Sequence, residues 1–136
     1  SLKELLLQLL APYLSPGEDM VEFEGNDLQV KSDAVTSVAL IFHELATNAA
    51  KYGALHEAGG RIVISLARNG SWSTITWTEH LASQILHPAS TQGFGSRLLE
   101  TVVEKQFGGS LSRDRSASAM TIVVRLPTSL FCDAAT

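Results

Sequence analysis

The stretch from Ser32 to Gly53, "SDAVTSVALIFHELATNAAKYG", restricts the fold more than any other. At about 100° per residue, Val35, Val38, Phe42, Leu45 and Ala49 fall on one stripe, the pattern of an amphipathic helix. A helix with one apolar side must bury it against a sheet or other helices. Ser32 or Asp33 is placed to cap its start, and Gly53 to supply a left-handed residue at its end. Glu44, Asn48 and Lys51 fall on a different side, because i, i+4 and i+7 share a face, and Tyr52 flanks them. An acid, an amide, a base and a phenol gathered this closely suit a metal ion with phosphates. They also suit a plain solvated face with a Glu44–Lys51 attraction.

The rest of the chain supplies a sheet for that helix. Residues 2 to 11 are dense in leucine and end at Pro12, a helix stop. "SPGED" reads as a turn. "MVEFEG" alternates as a strand, and "DLQVK" follows Gly25-Asn26-Asp27 in a hairpin-like connection. "RIVISLARNGSWSTITWTE" reads as two strands joined at Asn69-Gly70. Residues 80 to 92 lack periodicity and read as a long loop, of which 81 to 92 are expected to be poorly ordered without a ligand. A helix over about 95 to 107 is stopped by Gly108-Gly109, and "SLSRDRS" and "AMTIVVRLP" form a last strand pair. The expected fold is an α/β (α+β) two-layer sandwich, a mixed, mainly antiparallel sheet of about five strands with three helices on one face.

Composition narrows the function classes. The 136 residues suit one domain with a continuous core, and 14 acids against 10 bases give a net charge of −4. With no basic stripe, nucleic acid is not an expected partner. Cys132 is the single cysteine, so no intrachain disulfide framework exists. No apolar run approaches the roughly 20 residues of a membrane span, and no signal pattern opens the chain. The expected location is cytoplasmic, with no membrane contact by this domain. The chain starts without Met, inside an apparent helix, which reads as a fragment of a longer protein.

Two further motifs carry chemistry. In "QGFGSRLLE", Gly93 and Gly95 precede a helix whose first N–H groups are free for an anion. A Gly-x-Gly alone is also a plain loop-to-helix turn. No Walker pattern and no Rossmann glycine triplet is present. In "ITWTEH", Ile75, Trp77 and Glu79 share one parity of a strand. A carboxylate on the core-facing parity needs a partner or a ligand, unless it turns to solvent at the strand end.

Taken in order, "HELATNAAKYGAL", a strand ending in Trp-x-Glu, a long loop, and "GFGSRLLE" before a closing strand resemble the ATP-binding catalytic domain of sensor histidine kinases, the Bergerat fold. More narrowly the chain resembles the HWE subgroup, named for a His, here His43, and for Trp-x-Glu, here Trp77 and Glu79. The resemblance covers roughly residues 5 to 127. It implies a division into residues 1–14, the end of a preceding helical dimerisation region, and 15–136, the catalytic domain. It implies ATP and Mg²⁺ as cofactors. Asn48 would coordinate the metal, Glu44 would hold its shell or a water, and these two would be the catalytic pair. Lys51 would contact phosphate and Tyr52 would lie against the nucleotide. Gly93 and Gly95, with Ser96 and Leu98 of the same motif, would pass close to it. Glu79 stands where the family places its adenine-reading acid, and Thr121 near the adenine. His43 points away from the Glu44–Asn48 side by helical phase, which implies a structural role. The implied reaction transfers the γ-phosphate to a histidine outside this chain, on dimerisation helices of the homodimeric full-length protein, for relay to a response regulator receiver domain.

The sequence departs from the pattern in the loop. Glu79 is followed by "HLASQILHPASTQ", without the family's Gly-Gly-Pro turn and without any Arg or Lys. The glycine usual before the closing strand is replaced within "SASAM". These departures leave a second reading, a relative with lost or weak ATP binding that serves as a docking module. A third is an ATPase or protein-serine kinase on the same fold.

Overall fold

A computed structural model describes residues 1–15, 20–56, 59–81 and 94–132. Of the loop expected over 80 to 92, His80 instead ends a strand and residues 82 to 92 lie outside them, as do the "SPGED" turn from residue 16 onward and Gly93. The elements run α1 (Leu2–Leu10), β1 (Val21–Glu24), α2 (Val35–Tyr52), β2 (Arg61–Asn69), β3 (Trp72–His80), α3 (Phe94–Glu100), β4 (Ser110–Arg115) and β5 (Ala119–Pro127). Among the described residues, the strands form one sheet in the order β1-β2-β3-β5-β4. Only β1 and β2 pair in parallel; the other pairs are antiparallel. The open, mixed sheet and its helices are those expected from the sequence.

Alternation decides which face of the sheet the helices cover. Ile62, Ile64 and Leu66 of β2, Ile75 and Trp77 of β3, and Ile122, Val124 and Leu126 of β5 are all buried. They form one core with Val38, Phe42, Leu45 and Ala49 of α2 and Leu99, Val102 and Val103 of the last helical stretch. Val35, expected on the same stripe, is 38% exposed at the helix start. The intervening strand residues, such as Thr74, Thr76 and Thr78, are half-buried on the open face. Leu2, Leu6 and Leu10 of α1 are fully buried in that same core. Leu6→Ala should therefore cost about 2–5 kcal/mol, the range for emptying a buried leucine site. Urea denaturation of the domain reads this directly; an unchanged midpoint would detach α1 from the core.

Three local expectations change. The chain does not form a hairpin at Gly25-Asn26-Asp27. Asp27 instead accepts from the backbone N–H of Lys3 at 3.0 Å and is hydrogen-bonded to the Ser1 hydroxyl. A carboxylate suits the free N–H groups and positive dipole end of α1. Residues 28 to 31 then lie beside the C-terminal segment, where Val30 bridges Phe131. Second, neither Ser32 nor Asp33 caps α2; the preceding residue is Ala34, without a side-chain cap bond. Third, the helix expected over 95 to 107 changes character. Thr101–Gln106 is π-helical, with the Phe107 N–H reaching Val102 O at 3.2 Å. The wider turn accompanies two consecutive residues, Val102 and Val103, both packed inward. Gly108, at φ 68°, ends it, and a Cβ on Gly109 would meet Arg125 O at 2.0 Å. The Asn69-Gly70 hairpin is as expected, with Gly70 at φ 61°.

Candidate functional site

The polar side of α2 faces the last helix. Gln106 Nε2, at the far end of the π-helical stretch, donates to Ser37 Oγ near the start of α2 at 2.8 Å. α3 also packs on α2, so the two run antiparallel. The antiparallel run turns the start of α3 toward the C-terminal half of α2, which carries Glu44, Asn48 and Lys51. Glu44 and Asn48 are half-buried, whereas Lys51 is exposed and Tyr52 is 54% exposed. None of their side chains bonds to another described residue. Leu98 is 38% exposed on α3. Gly95 and Ser96 lie in its first turn. His43 is exposed, on the flank of α2 away from the stripe.

The sheet contributes a row at the same end. Ile62, Glu79, Met120 and Arg115 face one another across β2, β3, β5 and β4. Glu79 is 1% exposed. Its Oε1 accepts from the Ala54 N–H and its Oε2 from the Trp77 indole Nε1–H, both at 3.0 Å. Burial pushes its carboxyl above the usual range, partly offset by the Ala54 and Trp77 N–H groups and the charge of Arg115. The Trp77 ring stacks against Phe42 of α2, with centroids 6.3 Å apart and planes at 24°.

Gly53 does not adopt the left-handed conformation expected for it. Its φ and ψ are −121° and −147°. Glycine is needed there for space, because a Cβ would lie 2.0 Å from Glu79 Oε1. Thr121 is not brought to Glu79. It pairs with Thr78, on the opposite face of the sheet, and Met120 occupies the position across from Glu79. Sequence reading missed Met120 and Arg115, whose Nη2 lies 3.7 Å from Met120 Sδ. Only the register of β5 against β3 reveals them.

The donor set at α2 fits a hard cation sparingly held. Glu44 and Asn48 offer one carboxylate and one carboxamide a single helical turn apart. No cluster of three or more His, Cys, Asp or Glu exists among the described residues. Magnesium commonly takes one or two protein oxygens and completes its shell with water and phosphate.

No protein-family model matches the sequence. The blue-light-activated histidine kinase 1 of Erythrobacter litoralis is 30% identical over 93% of this chain. The blue-light-activated histidine kinase of Rhizobium johnstonii is 33% identical over 94% of it. This chain spans 36% of the length of each. Among solved structures, the catalytic domain of histidine kinase ThkA superposes with a TM-score of 0.67 at 15% identity. That match covers 93% of both chains, so the fold is shared from end to end.

The chain is similar in sequence to part of these histidine kinases and has the fold of a histidine kinase catalytic domain. Within this fold the helix with the Glu44–Asn48–Lys51 stripe is held to the sheet by the Trp77–Glu79 pair. No described helix of the domain is long and apolar enough to cross a membrane.

Proposed function

We propose that this domain binds ATP with Mg²⁺ and donates its γ-phosphoryl group to a histidine outside the chain. The observation that carries the reading is the antiparallel packing of α2 and α3. With it, an acid, an amide and a base, free of bonds to other described residues, lie on the half of α2 toward which the glycine-motif helix begins, which supports the reading. Asn48 would ligate the metal directly and Glu44 would hold a water of its shell. Lys51 would neutralise phosphate charge at the exposed end of α2, and Tyr52 would cover one side of the nucleotide. The backbone at Gly93, Gly95 and Ser96 would run close to the phosphates, with Leu98 on the neighbouring surface. The base would lie toward the Glu79–Met120 end. Bound Mg²⁺–ATP supplies the transferable phosphoryl group and a cation that offsets its charge. The domain's contribution is then positioning and charge neutralisation, the main terms in phosphoryl transfer.

The acceptor histidine would stand on a dimerisation helix pair of the full-length homodimer, with residues 1–14 ending the connection to it. The phosphoryl group would pass on to a response regulator receiver domain, in the cytoplasm. A calorimetric titration of the domain with ATP and ADP, with and without Mg²⁺, tests the first step. Saturable binding that strengthens with Mg²⁺ is expected. Absence of binding with either nucleotide would favour the docking module, which the cation-free stretch from Leu81 to Ser96 otherwise supports.

A further inference from the structure

The turn that follows α2 is held from outside the helix. The Ala49 carbonyl accepts from both Gly53 N–H, at 3.1 Å, and Leu55 N–H, at 3.0 Å. The N–H of Ala54, between them, is bonded instead to Glu79 Oε1. The turn is also tightly enclosed. A Cβ on Gly53 would strike Glu79 Oε1, and one on Gly60 would lie 1.9 Å from Ala54 O. Glu79 is in turn fixed by Trp77, which packs its ring on Phe42 in the middle of α2. Trp-x-Glu thus grips α2 twice, once at its buried face and once at its exit. Lys51 and Tyr52 are the last two residues before that exit, and Asn48 is one turn further back.

A buried carboxylate is costly unless its charge is met by donors. Here one donor comes from the motif itself, and the other is a backbone N–H next to the ligand-facing end of α2. We propose that Glu79 is a positioning residue of the nucleotide site, which acts through the Gly53–Ala54 turn to set Asn48, Lys51 and Tyr52 against the sheet. This rests on the nucleotide-binding reading above. It differs from direct adenine reading, in which Glu79 would discriminate between bases. A carboxylate with two oxygens can accept further bonds, so the two roles are separated by experiment.

The test compares ATP and GTP affinity, in Mg²⁺, for the wild type, Glu79→Ala, Glu79→Gln and Gly53→Ala. Melting temperatures show which variants are folded at the titration temperature. Glu79→Ala and Gly53→Ala should each weaken ATP and GTP alike by roughly tenfold, the value of one well-made hydrogen bond. Gly53→Ala does so with Glu79 still in the chain, because its Cβ takes the space of the carboxylate oxygen at the turn. Glu79→Gln keeps an oxygen for the Ala54 N–H and should recover most of what Glu79→Ala loses, at an unchanged ATP-to-GTP ratio. The proposal is overturned if Glu79→Gln narrows that ratio while Gly53→Ala binds like the wild type, the signature of base reading. Folded variants that all bind like the wild type would also overturn it, leaving the bonds purely structural. A wild type that binds neither nucleotide removes the site itself, and the positioning role with it.

Discussion

Asn48→Ala is expected to lower Mg²⁺-dependent nucleotide affinity by about 100-fold, at the upper end for disturbed metal coordination. The same variant should melt close to the wild type. Asn48 is half-buried on the polar side of α2, away from the stripe formed by Phe42, Leu45 and Ala49. Substitutions outside packed cores and networks usually change stability by less than about 0.5 kcal/mol. For a domain of this size that is a shift of roughly 2–3 °C. Calorimetric titration with and without Mg²⁺, beside a thermal melt, reads both quantities. Loss of binding with an unchanged melt places Asn48 in the site. A large drop in melting temperature would instead make it a structural residue. Glu44→Gln should fall between the two, because it keeps an oxygen and removes only the charge.

Trp77→Ala carries the largest expected cost to stability. Trp77 is fully buried and stacks on Phe42. Emptying such a site costs about 3–5 kcal/mol. The substitution also deprives Glu79 Oε2 of its donor, and an unpaired buried acceptor adds about 1–3 kcal/mol. Domains are typically stable by only about 5–15 kcal/mol, so much of the margin is removed. The second tryptophan serves as a control. Trp72 is half-buried with Arg125 4.3 Å above its ring, an arrangement worth roughly 0.5–1 kcal/mol when exposed. Urea denaturation of both variants should place Trp77→Ala far below Trp72→Ala. Equal midpoints would mean that the Trp77–Phe42 contact does not hold α2 to the sheet.

Much of the architecture was legible because it is written in local periodicity. The spacing of Val38, Phe42, Leu45 and Ala49 set the inward face of α2, and all four are buried. The alternation through "ITWTE" put Trp77 and Glu79 on one face, and both are inside. The turn at Asn69-Gly70 and the stop at Gly108-Gly109 needed only short-range sterics, with positive φ at Gly70 and Gly108. The gathering of Glu44, Asn48 and Lys51 was legible for the same reason, since a helix fixes its own faces.

What the sequence could not decide was which segment meets which. Gly25-Asn26-Asp27 has the composition of a hairpin, yet Asp27 answers to the start of α1, more than twenty residues earlier. Gly53 ends α2 as expected, but not in the left-handed conformation, and its missing side chain makes room for Glu79 from a distant strand. Thr121 and Met120 are neighbours in sequence and lie on opposite faces. Only the register of β5 against β3 settles that Met120 faces Glu79. Local sequence determines which side of an element is apolar, because side-chain period follows from backbone geometry. The partner across a sheet or beyond a turn is chosen by long-range packing and by buried polar groups seeking donors, and only the tertiary structure contains that choice.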